Sequence, residues 1–135
     1  MTNNNLPNNL LYNQDYSWAR IENNTAVLGV IKPAADKVKE FVFIKLPQKG
    51  QRLKKGETYV SLEALKWSGH LGSPLSGEIT EVNDPLFDEP SIINKDPYGE
   101  GWIAKIKISN QEEVKKLIKA DKTQKWVESD LAKNK

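Results

Sequence analysis

The sequence predicts a mainly β protein that ends in helices, and the distribution of residue types supports this in three ways. Between residues 16 and 108, short runs of β-branched and aromatic residues alternate with turn-forming residues. After residue 109, apolar residues recur at helical spacing. The first 13 residues contain six Asn and Pro7, a composition with little capacity to bury apolar surface. We therefore expect a flexible N-terminal tail over residues 1–15 and one folded domain over residues 16–131.

Each predicted strand is bounded by residues that favour turns. Asn23 and Asn24 precede the first strand, and the Pro-Gln-Lys-Gly sequence at residues 47–50 closes the second. A short helix over residues 33–39 is expected between these two strands, because proline suits the first turn of a helix. The predicted strands cover residues 26–31, 41–46, 59–63, 77–82 and 102–108.

Two helical segments are predicted at the C-terminal end. Ser109 and Asn110 can cap the first segment, and Glu112 and Glu113 fall in its first turn, where acidic side chains are favoured. The second segment spans roughly residues 122–131. Each segment has an apolar stripe that is expected to pack against the core: Val114, Leu117, Ile118, Trp126, Val127 and Leu131.

Composition excludes several kinds of function. The 135-residue chain has no Cys and one His, so it offers no disulfide, no thiolate nucleophile and no zinc site. Its net charge of +2 is too small to indicate nucleic-acid binding. No apolar run is long enough to span a membrane or to act as a signal peptide. We expect a cytoplasmic monomer that binds neither membrane nor nucleic acid. We also expect that the protein is not itself an enzyme, because no nucleophile–base set can be assembled.

Lys66 is the candidate functional residue. Residues 60–62 form a plausible strand that enters its turn, and the residues after it suit sharp changes of backbone direction. Without its sequence context, Lys66 would be interpreted as an ordinary solvated lysine at a turn. A lysine on a rigid, exposed β-turn also provides the fixed base that a swinging arm needs to reach several partners. The turn-forming residues that follow Lys66 are Gly69, Gly72, Ser73, Pro74, Ser76 and Gly77.

The residues around Lys66 resemble those of the glycine cleavage H-protein family, and the similarity extends over residues 16–127. Glu63, three residues before Lys66, matches an acidic residue of the family motif. The Ser-Pro-Leu-Ser-Gly-Glu sequence at residues 73–78 matches a family turn, and residues 96–102 match a second signature.

The resemblance implies a hammerhead, barrel-sandwich hybrid fold of the lipoyl-domain type, with lipoate attached to Lys66 in amide linkage. It also implies that Glu63 helps the attaching enzyme, a lipoate ligase or lipoyl transferase, to recognise the site. Dihydrolipoamide dehydrogenase is a further implied partner. Biotin is the alternative prosthetic group, but biotinyl domains usually place Met on both sides of their lysine, where this chain has Leu65 and Trp67.

Several residues depart from the pattern of an ordinary glycine-cleavage carrier. That pattern has hydroxyl, amide and acidic groups lining the cleft for an aminomethyl cargo, whereas this chain loses acceptors and adds a cation. In these places it is more similar to a divergent lipoate-binding branch that serves sulfur oxidation through a heterodisulfide-reductase-like complex. The departing residues are Ser17, Ile31, Lys32, Ala35 and His70.

Two further site candidates have alternative interpretations. Trp67 is either an exposed aromatic that packs on the dithiolane or in a partner's pocket, or a surface residue that fastens the hairpin. His70 is either a proton relay to a thiol near neutral pH or an ordinary turn residue.

Three functions stay open for the chain as a whole. The first is a lipoyl carrier for a heterodisulfide-reductase-like complex, which the departures favour. The second is the glycine cleavage carrier between glycine decarboxylase and aminomethyltransferase, which the overall match favours. The third is a lipoate relay or binding module without a carrier role.

Overall fold

The computed structural model describes residues 6–133, and within them the side chains up to residue 127. In this part of the chain, nine strands form two sheets, and helices connect or flank them. The strands are β1 (Leu11–Tyr12), β2 (Ser17–Glu22), β3 (Thr25–Val30), β4 (Phe41–Lys45), β5 (Arg52–Leu53), β6 (Thr58–Ala64), β7 (Trp67–Gly72), β8 (Gly77–Val82) and β9 (Ala104–Ile108). The helices are α1 (Lys32–Val38), α2 (Pro85–Asp88), α3 (Ile92–Lys95) and α4 (Ala120–Lys133), with a 3₁₀ segment over Gln111–Lys116.

Every named strand pair is antiparallel. The larger sheet has the order β1-β2-β3-β9-β8-β5, and the smaller sheet has the order β4-β6-β7. Apolar residues of both sheets meet in one core, in which Leu28, Ile44, Leu62, Ile79 and Ile106 are almost completely buried. The prediction of a mainly β chain with C-terminal helices is therefore confirmed.

The N-terminal segment differs from the expected flexible tail. Residues 1–5 lie outside the described part of the chain, but Leu6, Leu10 and Tyr12 are buried in a second apolar cluster with Val127 of α4. Tyr12 also pairs through its backbone with Ile118, at N···O distances of 2.8 Å. The expected domain start at residue 16 is therefore too late, because a few apolar residues among the Asn are enough to anchor the segment.

The predicted elements are reproduced with shifted ends. All five predicted strands and the helix near residue 33 are present, while β1, β2, β5 and β7 were not individually predicted. The first C-terminal segment is a 3₁₀ helix, capped as expected by the Asn110 side chain, which accepts from the Glu112 N–H at 3.0 Å. Leu117 and Val127 are buried, whereas the side chain of Leu131 lies outside the described residues. Among the helices described, none has the length and apolar character needed to cross a bilayer.

Candidate functional site

Lys66 lies at the tip of the hairpin formed by β6 and β7. Ala64 and Trp67 are the last paired residues of the two strands, so Leu65 and Lys66 alone make the turn. Both turn residues are exposed, and Leu65 is 86% accessible. Because both strands remain paired up to a two-residue turn, the backbone of Lys66 is held firmly while its side chain reaches solvent.

The hairpin has two faces, as the two-residue period of a strand requires. Paired residues share a face, which the register makes explicit. The inner face is mostly buried and consists of Val60, Leu62, Ala64, Trp67, Gly69 and Leu71. The outer face is more exposed and consists of Ser61, Glu63, Ser68 and His70.

An apolar groove of about 280 Å³ opens beside the inner face of the hairpin. Among the described residues that line it, Lys37 of α1 is the only charged one, and the Tyr16 hydroxyl and the Trp67 indole N–H are the other polar side-chain groups. The described residues that line the groove are Tyr16, Val30, Ala34, Lys37, Val38, Phe41, Leu62, Trp67 and Leu71. This described part of the lining therefore favours apolar groups and includes no carboxylate.

Trp67 forms the end of this groove nearest Lys66. Its ring lies 6.2 Å from the Phe41 ring, centroid to centroid, in an edge-to-face arrangement. The indole also lies across Gly69, two residues further along β7, and 37% of Trp67 remains exposed. The residue is thus packed on the hairpin and at the same time presents part of its ring to the groove.

Glu63 and His70 lie on the outer face, away from the groove. Glu63 is exposed and stands opposite Ser68 in β7 and Phe43 in β4. His70 is exposed, and its Cα partner is Ser61. The interpretation of His70 as a turn residue is wrong, because β7 starts directly after Lys66 and includes it. Among the described residues, no group of three or more His, Cys, Asp or Glu could hold a metal ion.

The remaining departures from the family pattern do not line the groove. Ile31 and Ala35 are buried, and Lys32 forms an ion pair with Asp36 at 2.8 Å. Ser17 is buried, with its Oγ 3.0 Å from the Tyr59 hydroxyl. The expectation that these positions lie at the cleft is therefore not met by this groove, since three of them are internal and the fourth, Lys32, is paired with Asp36.

Tyr59, near the start of β6, is the buried hydrogen-bond partner of Ser17. Burial raises the pKa of its phenol well above the ordinary value, and the nearby Asp15 charge raises it further, while the hydrogen bond with Ser17 acts in the opposite direction. Asp15 also accepts a hydrogen bond from the Gly72 N–H at the end of β7. Tyr59 is therefore neutral in the folded protein and acts as part of the support for the hairpin.

Two features of the site were missed from the sequence. Val42 and Phe43 are both exposed beside the hairpin tip, at 50% and 47%. Tyr16, with a φ of 64°, lines the groove and packs on Trp126 of α4, with 5.3 Å between ring centroids. The run of four apolar residues at 41–44 was a usable signal, because a half-buried strand should alternate.

The model of the family described as glycine cleavage H-protein matches residues 10–130. The chain belongs to the glycine cleavage H-protein family. A probable glycine cleavage system H protein of Aeropyrum pernix is 42% identical over 113 residues, which are 84% of this chain and 79% of that protein. The glycine cleavage system H protein of Clostridium botulinum is 40% identical over 121 residues, 90% of this chain and 92% of that protein.

A solved structure supports the same assignment. The crystal structure of a glycine cleavage system H protein from Mycobacterium marinum superposes with a TM-score of 0.77 at 28% identity. The match covers 87% of this chain and 94% of the Mycobacterium marinum chain. The predicted barrel-sandwich hybrid fold is therefore confirmed, and the family to which the chain belongs is one of lipoyl carriers.

Proposed function

We propose that this protein is a lipoyl carrier that bears its prosthetic group on Lys66 and catalyses no step itself. The observation that supports this most directly is the position of Lys66 at the tip of a two-residue turn, beside an apolar groove. Membership of a lipoyl-carrier family supports the same conclusion. The domain that performs this function extends from the packed N-terminal segment to α4.

The residues present fit a lipoyl group. Lys66 supplies an exposed amine, and the groove supplies apolar walls of a kind that suits a hydrocarbon chain. In attachment, the deprotonated Nζ attacks the carboxyl carbon of a lipoyl adenylate made with ATP, an amide C–N bond forms, and AMP leaves. The proton released from the amine passes to solvent. When bound, the lipoyl group supplies reversible disulfide–dithiol exchange.

The protein itself contributes placement and shelter. The paired strands of the hairpin fix the base of Lys66, and the groove beside Trp67 and Leu62 excludes water from whatever lies against it. The chain has no cysteine, so no protein thiol competes in disulfide exchange. Glu63, exposed on the outer face, provides a charged handle for the attaching enzyme.

The client that we propose is a heterodisulfide-reductase-like complex for sulfur oxidation. A carrier loaded with an aminomethyl group must hold a protonatable amine, and the described residues of the groove lining include Lys37 and no carboxylate. Thiol, persulfide or anionic sulfur cargo needs no acidic partner, and the exposed part of Trp67 suits polarizable sulfur. Ile31 and Ala35 are buried and do not contribute to this choice of client.

A second candidate is the glycine cleavage carrier between glycine decarboxylase and aminomethyltransferase. The relatives that favour it are named glycine cleavage system H proteins, among them one of Staphylococcus epidermidis that is 36% identical over 116 residues. In this chain, the same role would place the protonated amine of the aminomethyl cargo beside the Lys37 cation.

A reconstituted assay separates the two clients. Lipoylated protein is mixed with glycine decarboxylase and aminomethyltransferase, and separately with a heterodisulfide-reductase-like complex and a reduced sulfur substrate. We expect slow release of carbon dioxide from glycine and efficient turnover with the sulfur complex. Carbon dioxide release at the rate of an established glycine cleavage carrier would overturn the proposed client. Failure with both systems, despite full lipoylation, would favour a lipoate relay or binding module.

A further inference from the structure

We propose that Val42, Phe43 and Leu65, here called the tip patch, form the docking surface for the enzyme that attaches lipoate to Lys66. This inference rests on the proposed function. It adds a recognition surface on β4, a strand that precedes the lysine by more than 20 residues.

The first support is the exposure of three large apolar side chains around one functional lysine. Val42, Phe43 and Leu65 are 50%, 47% and 86% accessible. Val42 and Leu65 line a shallow depression that also includes Lys66 and Glu63. Phe43 stands directly opposite Glu63 in the β4–β6 ladder. Single exposed apolar residues are ordinary on a protein surface, but a contiguous group with a polar rim is typical of an interaction site.

The second support is the β-bulge that creates the patch. In a regular strand Phe43 would face the same way as Phe41, which is buried against the groove. The register between β4 and β6 shifts between Phe41 and Phe43, so both Val42 and Phe43 emerge at the surface before Ile44 returns to the core. Bulges often redirect side chains beside functional sites. Here the bulge exposes two neighbouring apolar side chains, whereas in a regular strand one of the two would face the core.

The reach of Lys66 identifies the occupant. Five single bonds of about 1.5 Å join its Cα to its Nζ, so the amine extends at most roughly 6 Å from the turn. An enzyme that encloses this Nζ covers Leu65 beside it and reaches the β4 bulge at Val42, which lines the same depression as Lys66. A client that acts on sulfur at the far end of the completed arm has no such requirement. The contact therefore belongs to the attaching enzyme, with apolar anchors in the centre and Glu63 at the rim.

The test measures attachment kinetics on the unmodified protein. A purified ATP-dependent lipoate–protein ligase is supplied with ATP, lipoate and increasing concentrations of wild type, Phe43→Ser or the double variant Val42→Ser/Phe43→Ser. We expect kcat/KM to fall about tenfold, mainly through KM, and Phe43→Leu to restore most of it. Phe87→Ser is the matched control, because Phe87 is 65% exposed but lies on α2, outside the patch, and should leave the kinetics unchanged.

Several outcomes would overturn the inference. The first is wild-type kcat/KM in Phe43→Ser and the double variant. The second is normal attachment with impaired turnover of the lipoylated variants by a client, which would assign the patch to that client. The third is a wild-type dimer that Phe43→Ser converts to a monomer, which would assign it to a second copy. If wild type itself is not modified at Lys66, the proposed function fails; if it is modified and the variants behave like it, only the docking surface fails.

Discussion

The indole of Trp67 lies across Gly69, and a Cβ placed on Gly69 would come within 2.6 Å of the indole Cζ2. Both residues are on the inner face of β7, where the ring forms the end of the groove nearest Lys66. The φ of Gly69 is not in the left-handed region, so backbone conformation does not require a glycine here. Glycine is required because the indole ring approaches this position so closely. The position of the groove wall depends on this contact.

Gly69→Ala should displace the Trp67 ring from the groove. The added methyl group overlaps the indole, and relief of the overlap should lower the free energy of unfolding by about 1 kcal/mol, which corresponds to a drop in Tm of about 3 °C. Thermal unfolding and the emission maximum of Trp67, obtained by difference from a Trp67→Phe background, measure the two effects. Ser68→Ala, on the outer face of the same strand, is the control and should change neither.

Lys37→Glu should make the groove more favourable to an amine cargo. The substitution replaces the Lys37 cation with a carboxylate in the groove lining. One partly exposed ion pair of about 1 kcal/mol corresponds to roughly a fivefold gain. The measurement is the rate at which the lipoylated variant supports glycine decarboxylase. Lys49→Glu makes the same charge change on a loop outside the groove, and an equal gain there would show that overall charge is responsible.

Glu63→Ala should slow lipoate attachment without unfolding the domain. Glu63 is exposed on the outer face, so its removal should change the free energy of unfolding by no more than about 0.5 kcal/mol. The initial rate of attachment and the Tm are measured on the same preparation. Glu100→Ala, another exposed glutamate, should behave like wild type. A large loss of Tm with a normal attachment rate would make Glu63 a structural residue.

Stability should fall at alkaline pH, and Tyr59→Phe should reduce that fall. Burial raises the pKa of Tyr98 to about 12 and raises that of Tyr59 further, whereas an unfolded tyrosine has a pKa near 10. Above about pH 10 the unfolded chain therefore releases protons that the folded chain keeps, and each such tyrosine lowers the free energy of unfolding by about 1.4 kcal/mol per pH unit until its folded pKa is reached.

Tyr59→Phe removes the contribution of one buried tyrosine to this loss of stability at alkaline pH. The variant should be less stable than wild type at neutral pH, because Ser17 loses its hydrogen-bond partner, by about 1 kcal/mol. The difference between the two proteins should then shrink as the pH rises above 10. Urea unfolding at pH 7, 9, 10 and 11 measures this trend. A difference that stays constant across the range would show that Tyr59 does not titrate on unfolding.

The sequence alone was sufficient to predict the elements that depend on regular alternation of residues or on a local capping residue. The strand Gly77–Val82 and the Asn110 cap are found at their predicted places, because alternation and capping depend on neighbouring residues alone. The position of Lys66 at a hairpin tip was also predictable, since its motif is local.

The β7 strand was harder to predict because its glycines were interpreted as turn formers. Gly69 accommodates Trp67, and Gly72 accommodates the Asp15 carboxylate and the backbone of Gly56. Neither glycine has a positive φ. Their smallness serves tertiary packing, which a local pattern does not reveal.

The groove could not be assembled from the sequence for a similar reason. Its lining comes from residues as far apart as Tyr16 and Leu71, brought together by the pairing of distant strands. The outward bulge at Val42 and Phe43 likewise depends on the register with β6. Motif positions alone placed Ala35 and His70 at the cleft, whereas the first is buried and the second is on the opposite face.

The central claim is that Lys66 is the site of lipoate attachment, and intact-mass measurement tests it most directly. Wild type and Lys66→Arg are incubated with lipoate–protein ligase, ATP and lipoate, and each product is then digested to locate the modification. We expect wild type to gain one lipoyl group on Lys66, and Lys66→Arg, which keeps the charge but cannot form the amide, to gain none. A wild-type protein that gains no lipoyl group, or a group that persists in Lys66→Arg on another lysine, would contradict the account.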